Sequence, residues 1–149
     1  MLKLSKMSDY AVVIIRQLSD NNKKNQNTAT IAQLTGLPGP TVSKILHRLN
    51  EVGIVSSDRG RFGGYKLQRI PQELPLSELI RAFEGPLVLT DCLDDNGNVC
   101  DLETHCAVAG RWDLVSRAIN RVLEDITLAD IFLDSSKYIG NSKNINYRP

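Results

Sequence analysis

The side chains most capable of chemistry crowd into one stretch, Asp91 to Cys106 (DCLDDNGNVCDLETHC). It holds all three cysteines of the chain, Cys92, Cys100 and Cys106, and one of its two histidines, His105. Thiolates are soft ligands that suit iron–sulfur clusters, zinc or copper(I), so three of them in a short segment point to metal or redox chemistry. An odd number of clustered cysteines argues against a disulfide framework. The spacing is C-x7-C-x5-C. It lacks the tight knuckles of most structural zinc sites, although Cys92, Cys100, His105 and Cys106 still make a Cys3His zinc set. A metal-free cluster of redox-active thiols is a further reading. Calcium fails on its first ligand: with Gly97 at position six of a calcium loop, Asp94, Asn96 and Glu103 fit, but Cys92 stands where a hard cation requires a carboxylate. The acidic residues then form a solvated surround for softer ligands.

Nothing else in the chain resembles catalytic machinery. There is no glycine-rich phosphate loop, no H-E-x-x-H, and no Cys/His or Ser/His/Asp arrangement, so the expectation is a non-enzyme without a small-molecule substrate. The 149 residues, 42% hydrophobic and 5% aromatic, suffice for one compact aliphatic domain or a small domain with an oligomerisation appendage. The apolar run Ala11 to Ile15 is too short to span a bilayer, so a cytoplasmic protein with no membrane partner is expected. The net charge of +1 conceals an asymmetry: residues 1–72 contain 11 Lys/Arg and 4 Asp/Glu, residues 73–149 contain 7 and 13. A basic half of this size suits a polyanion such as double-stranded DNA.

From the N-terminus, Ser8-Asp9 can cap a helix opening at Tyr10 with Val13, Ile14 and Leu18 at helical spacing. Thr28 or Thr30 can cap a short second helix, Ile31 to Thr35, ended by Gly36. A third helix, about Pro40 to Asn50, carries Val42, Ile45, Leu46 and Leu49 on one face until Gly53. Ile54–Ser57 and Tyr65–Leu67 read as strands around the basic, glycine-rich loop Asp58 to Gly64. A helix-turn-helix followed by such a hairpin is a winged helix, whose third helix suits the major groove and whose wing suits the flanking backbone or minor groove. On the third helix Thr41, Ser43, Lys44, His47 and Arg48 offer polar ends to bases and phosphates, and Arg59 and Arg61 charge the wing. Pro75 to Glu84 forms a short amphipathic helix. After the cysteine segment, Trp112, Val115, Ile119, Val122 and Ile126 step by three and four, as in a helix that pairs with another. The fold expected is mainly α: a winged helix-turn-helix (three helices plus a β-hairpin wing) with a long C-terminal dimerisation helix. The expected organisation is a DNA-binding domain over 1–72, a sensor loop and dimerisation helices over 73–134, and a loose polar tail over 135–149.

These motifs resemble the IscR/NsrR-type winged-helix regulators. The likeness runs from Leu4 to Ala11 (LSKMSDYA) through Gly53 to Ser57, Arg59-Gly60 and Gly63 to Leu67 (GGYKL), to Thr127 to Asp130 (TLAD). Within the family the chain looks most like regulators of the SUF iron–sulfur assembly operon, with the nitric-oxide sensors next. The resemblance implies a homodimeric transcription regulator, a repressor, with a [2Fe-2S] or [4Fe-4S] cluster on Cys92, Cys100 and Cys106 and a DNA affinity set by cluster occupancy. The first cysteine interval is longer than in many relatives, and the IscR-type histidine ligand falls on Ala109. The fourth ligand is then Asp9, where nitric-oxide-sensing relatives use an aspartate from the partner subunit, or His105. Arg59 matches the wing arginine that relatives lay against DNA. Ser43 stands where IscR carries a base-discriminating glutamate, so that operator preference does not transfer.

Overall fold

The computed structural model describes residues 3–20, 25–60, 63–86, 89, 105–108 and 111–133. The first helix, α1 (Lys6–Asp20), buries Ser8, Ala11, Ile14, Ile15 and Leu18, a three- and four-residue spacing that puts one stripe inward. It opens one turn earlier than the Ser8-Asp9 pair suggests. The cap is Ser5, whose hydroxyl accepts from the Ser8 amide at 3.3 Å. Ser8 sits inside the first turn and is buried.

Helix α2 (Thr28–Thr35) is capped by Asn27, whose side-chain oxygen accepts from the Thr30 amide at 2.8 Å, rather than by either threonine. It stops at Gly36, which adopts φ 70°, a left-handed conformation that costs glycine little. Helix α3 (Gly39–Glu51) follows with Pro40 in its first turn, where a missing amide donor is harmless. Val42, Ile45, Leu46 and Leu49 are fully buried and anchor it.

Two antiparallel strands, β1 (Val55–Asp58) and β2 (Gly64–Leu67), pair from Val55 opposite Leu67 to Asp58 opposite Gly64. The segment before α2 extends this hairpin: Gln26 and Tyr65 exchange backbone hydrogen bonds of 3.0 and 2.8 Å. A short 3-10 turn, Pro71–Glu73, leads into α4 (Leu76–Glu84).

Helix α5 (Trp112–Asp125) packs on α4 yet buries only Ser116. Its 14 residues give it a length of about 21 Å, one residue shorter than α1. Ile126 leaves the stripe: it lies past the helix end, and its carbonyl accepts from the Leu76 amide at 2.8 Å. A last helix, α6 (Leu128–Phe132), forms an element that the spacing of apolar residues does not separate from α5. Thr127 and Asp130 form a capping box at its start. Arg16 of α1 holds its end, donating to the Phe132 carbonyl at 2.7 Å with its guanidinium carbon 5.4 Å from the Phe132 ring centroid.

One core unites these pieces. Ile14, Ile31, Ile45 and Leu49 from the helix-turn-helix share it with Leu74, Leu79 and Leu128. Leu128 is fully buried, so α6 closes the domain that α1 opens.

Candidate nucleic-acid interface

The four buried residues of α3 occupy one side of the helix, so the 100° step per residue turns Lys44 and His47 to the opposite side. Lys44, Ser43 and His47 are all exposed, while Thr41 is half-buried on the flank. Lys44 has no ion pair among the described residues, which leaves its ammonium available to a phosphate. His47 reaches forward along the helix, Nδ1 3.3 Å from a Glu51 carboxylate oxygen.

Arg48 is placed differently. Its Nε donates to the Ala82 carbonyl of α4 at 2.7 Å, and its Nη1 meets Glu51 at 3.0 Å. The side chain expected to reach for DNA is thus tied to the fold on two of its donors.

The wing begins at Asp58. This carboxylate accepts from the Asn25 side-chain Nδ2 at 2.9 Å and from Lys66 Nζ at 3.1 Å. The Asn25 hydrogen bond first, and Lys66 second, hold it below the ordinary carboxylate range. Two consecutive glycines make the turn possible. Gly63 donates to the Gly60 carbonyl at 2.9 Å, and a Cβ on Gly64, whose φ is 153°, would stand 2.7 Å from the Gln26 backbone. Arg59 is exposed at the rim of this turn with no partner among the described residues. Arg61 lies outside the described residues.

On the sensor side, Cys92 and Cys100 also lie outside the described residues. Cys106 is half-buried and not in a disulfide, and His105 beside it is exposed. Asp9 is exposed in the first turn of α1, with no ion pair for its carboxylate among the described residues. No three His, Cys, Asp or Glu side chains converge among the described residues. A free thiol and an unengaged carboxylate are donors of the kind an iron–sulfur cluster takes, so these residues fit one chemically.

The ties between these regions have no counterpart in the sequence pattern. The Ser8 hydroxyl donates to Glu84 at the end of α4, and the Ser5 amide donates to the same carboxylate oxygen at 2.9 Å. The Ser8 bond first, then those from Ser5, lower the Glu84 pKa from its ordinary value. The last turn of α4 therefore binds the start of α1 through Glu84 and the recognition helix through Ala82. No local motif signals either bond.

A helix-turn-helix, an exposed basic recognition face and a glycine-built wing define the class: a winged-helix DNA-binding transcription regulator. The chain belongs to the Rrf2 family, described as iron-dependent transcriptional regulators, whose model matches residues 4–134. It is similar to the HTH-type transcriptional regulator NsrR of Bacillus subtilis, 28% identical over 131 residues that cover 87% of this chain and 90% of that protein. The NsrR of Oceanobacillus iheyensis is 29% identical over 139 residues, covering 93% and 95%. Among solved structures, IscR of T. potens matches with a TM-score of 0.64 at 28% identity, covering 92% of this chain and 90% of that one. CymR, the global cysteine regulator of B. subtilis, matches with a TM-score of 0.66 at 27% identity, covering 90% and 100%. The protein is a transcriptional regulator and not an enzyme. No helix among the described residues is long and apolar enough to cross a membrane.

Proposed function

We propose that the protein is a homodimeric repressor whose affinity for operator DNA is set by an iron–sulfur cluster held on Cys92, Cys100 and Cys106. Asp9 of the partner subunit is the preferred fourth ligand and His105 the alternative, because neighbouring side chains such as His105 and Cys106 converge poorly on one metal. The observation that carries this reading is the position of the three-thiol segment. It runs between α4, which is hydrogen-bonded to the first and third helices, and α5, which bears an uncovered apolar stripe. Trp112, Val115 and Val122 are 47%, 40% and 58% exposed and share one side of the helix at three- and seven-residue spacing, as in a helix that pairs with another. Pairing of α5 with its copy would cover them.

In this reading residues 1–72 read DNA, residues 73–134 carry the sensor and pairing helices, and 135–149 is an appendage. Thr41, Ser43, Lys44 and His47 face the major groove, with Arg59 and Arg61 on the flanking backbone. Held by these residues, a cluster would supply iron–thiolate bonds that oxidants or nitric oxide could break. The chain's own residues transmit the consequence: Asp9 adjoins Ser8, Ser8 holds Glu84, and the turn containing Glu84 holds the recognition helix. Moving that turn changes the relative pose of two recognition helices that must span a fixed half-site spacing. The family description as iron-dependent and the likeness to NsrR and IscR support the cofactor. The resemblance to SUF regulators points to iron–sulfur assembly genes as targets. A nitric-oxide or redox sensor of the same fold, or a zinc- or thiol-based regulator, shares the DNA-binding half.

Anaerobic purification followed by absorption spectroscopy and iron and sulfide analysis tests the proposal. A visible chromophore with iron and sulfide in near-equal amounts is expected. Colourless protein with stoichiometric zinc, and no chromophore after reconstitution, would overturn it.

A further inference from the structure

We propose that Arg48 is a positioning residue that sets the pose of the recognition helix on the last turn of α4, and does not itself bind DNA. The last four carbonyls of a helix have no intrahelical partner and gather partial negative charge. Ala82 lies two residues from the end of α4, and its carbonyl is such a group. Arg48 supplies the missing donor from another helix, Nε to oxygen at 2.7 Å, across 34 residues of sequence. Glu51 fixes the other edge of the guanidinium through Nη1 at 3.0 Å.

The geometry of α3 agrees. Lys44 and His47 occupy the side opposite the buried stripe, whereas Arg48 is turned toward α4, where its Nε reaches the Ala82 carbonyl. An arginine serving a phosphate contributes charge, which lysine largely reproduces. One holding a carbonyl and a carboxylate at once uses its planar fork, which an ammonium cannot copy. Ala82 itself is buried, so breaking the tie frees a carbonyl in a crowded place and loosens α3 from α4 together.

The test uses the full-length protein and its Arg48→Met and Arg48→Lys variants. Each is measured on a duplex that the wild type selects from a random pool, on single-base-pair variants of that duplex, and on a random-sequence duplex, over a range of salt. Hydrogen exchange of the α4 end, residues 82–85, is followed without DNA. Both substitutions should speed that exchange and reduce the preference for the selected duplex about tenfold or more, spread across its positions, with the salt slope unchanged. Three results would overturn the proposal. The first is a salt slope lowered by about 0.9 in Arg48→Met and restored in Arg48→Lys, the signature of one phosphate no longer neutralised. The second is a loss confined to one base pair, the signature of direct readout. The third is unchanged exchange or unchanged preference in both variants. Should the methionine variant fail to fold, the lysine variant decides by exchange and preference: faster exchange with a reduced preference supports the proposal, and unchanged exchange or unchanged preference overturns it.

Discussion

The Ser8 hydroxyl in the first turn of α1 donates to the Glu84 carboxylate in the last turn of α4, joining segments 76 residues apart. Asp9, which we propose as the fourth ligand of the cluster, is the next residue after Ser8. Any force on Asp9 is therefore delivered one residue from a side chain already bound to α4.

That bond sets an acid dependence. Hydrogen bonds from Ser8 and Ser5 lower the Glu84 pKa below 4.5. The contribution to stability is thus fully present above about that value and is lost as pH falls through the lower, folded-state pKa. Glu84→Gln should lower the thermal midpoint by a few degrees at neutral pH and by progressively less in acid. Melting curves from neutral pH down to about pH 3 check this; an equal deficit at every pH would contradict it.

Gly64→Ala forces a Cβ against the Gln26 backbone from a left-handed φ. The substitution should cost about 1–3 kcal/mol, by strain and by loss of the Gln26–Tyr65 pairing. Urea unfolding reads the cost. DNA affinity should fall with it, because Arg59 rides on the displaced turn.

Arg59→Glu should weaken DNA binding and flatten the dependence of log affinity on log salt by about 0.9 for each phosphate that the wing ceases to neutralise. Affinity measured at several salt concentrations decides it. An untouched slope would remove the wing from the interface.

Val122→Glu places a charge in the exposed stripe of α5. A shift from dimer to monomer in analytical ultracentrifugation is expected, with little change in the melting of the monomer, since Val122 is 58% exposed there. A dimer of unchanged strength would place the pairing surface elsewhere.

The elements that position DNA-facing residues are legible in the sequence because they are local. The three- and four-residue spacing of Val42, Ile45, Leu46 and Leu49 marks α3, and the glycines from Gly60 to Gly64 mark the wing. Helix starts are harder to read. Ser5 rather than Ser8-Asp9 caps α1, since several neighbouring polar residues are each able to do so, and burial selects Ser8 for the interior. Helix α6 has a readable signal in Thr127-x-x-Asp130, obscured by its five-residue length. Arg48 groups with the DNA-facing residues by charge and helix position, which are local properties, whereas the Ala82 carbonyl that occupies it comes from another helix. The role of Glu84 is hidden for the same reason. Cys92 and Cys100 lie outside the described residues, so the chemistry of the cysteine segment rests on residue type.

The central claim is that this cysteine segment controls DNA binding, and the most direct measurement compares one protein in two states. The affinity of anaerobically reconstituted, cluster-loaded protein for its selected duplex should differ from that of the same protein after cluster removal by about 5- to 150-fold, the usual range of coupling between two sites. The difference should vanish in a Cys106→Ser variant. Equal affinities in the loaded and cluster-free wild type would contradict the claim.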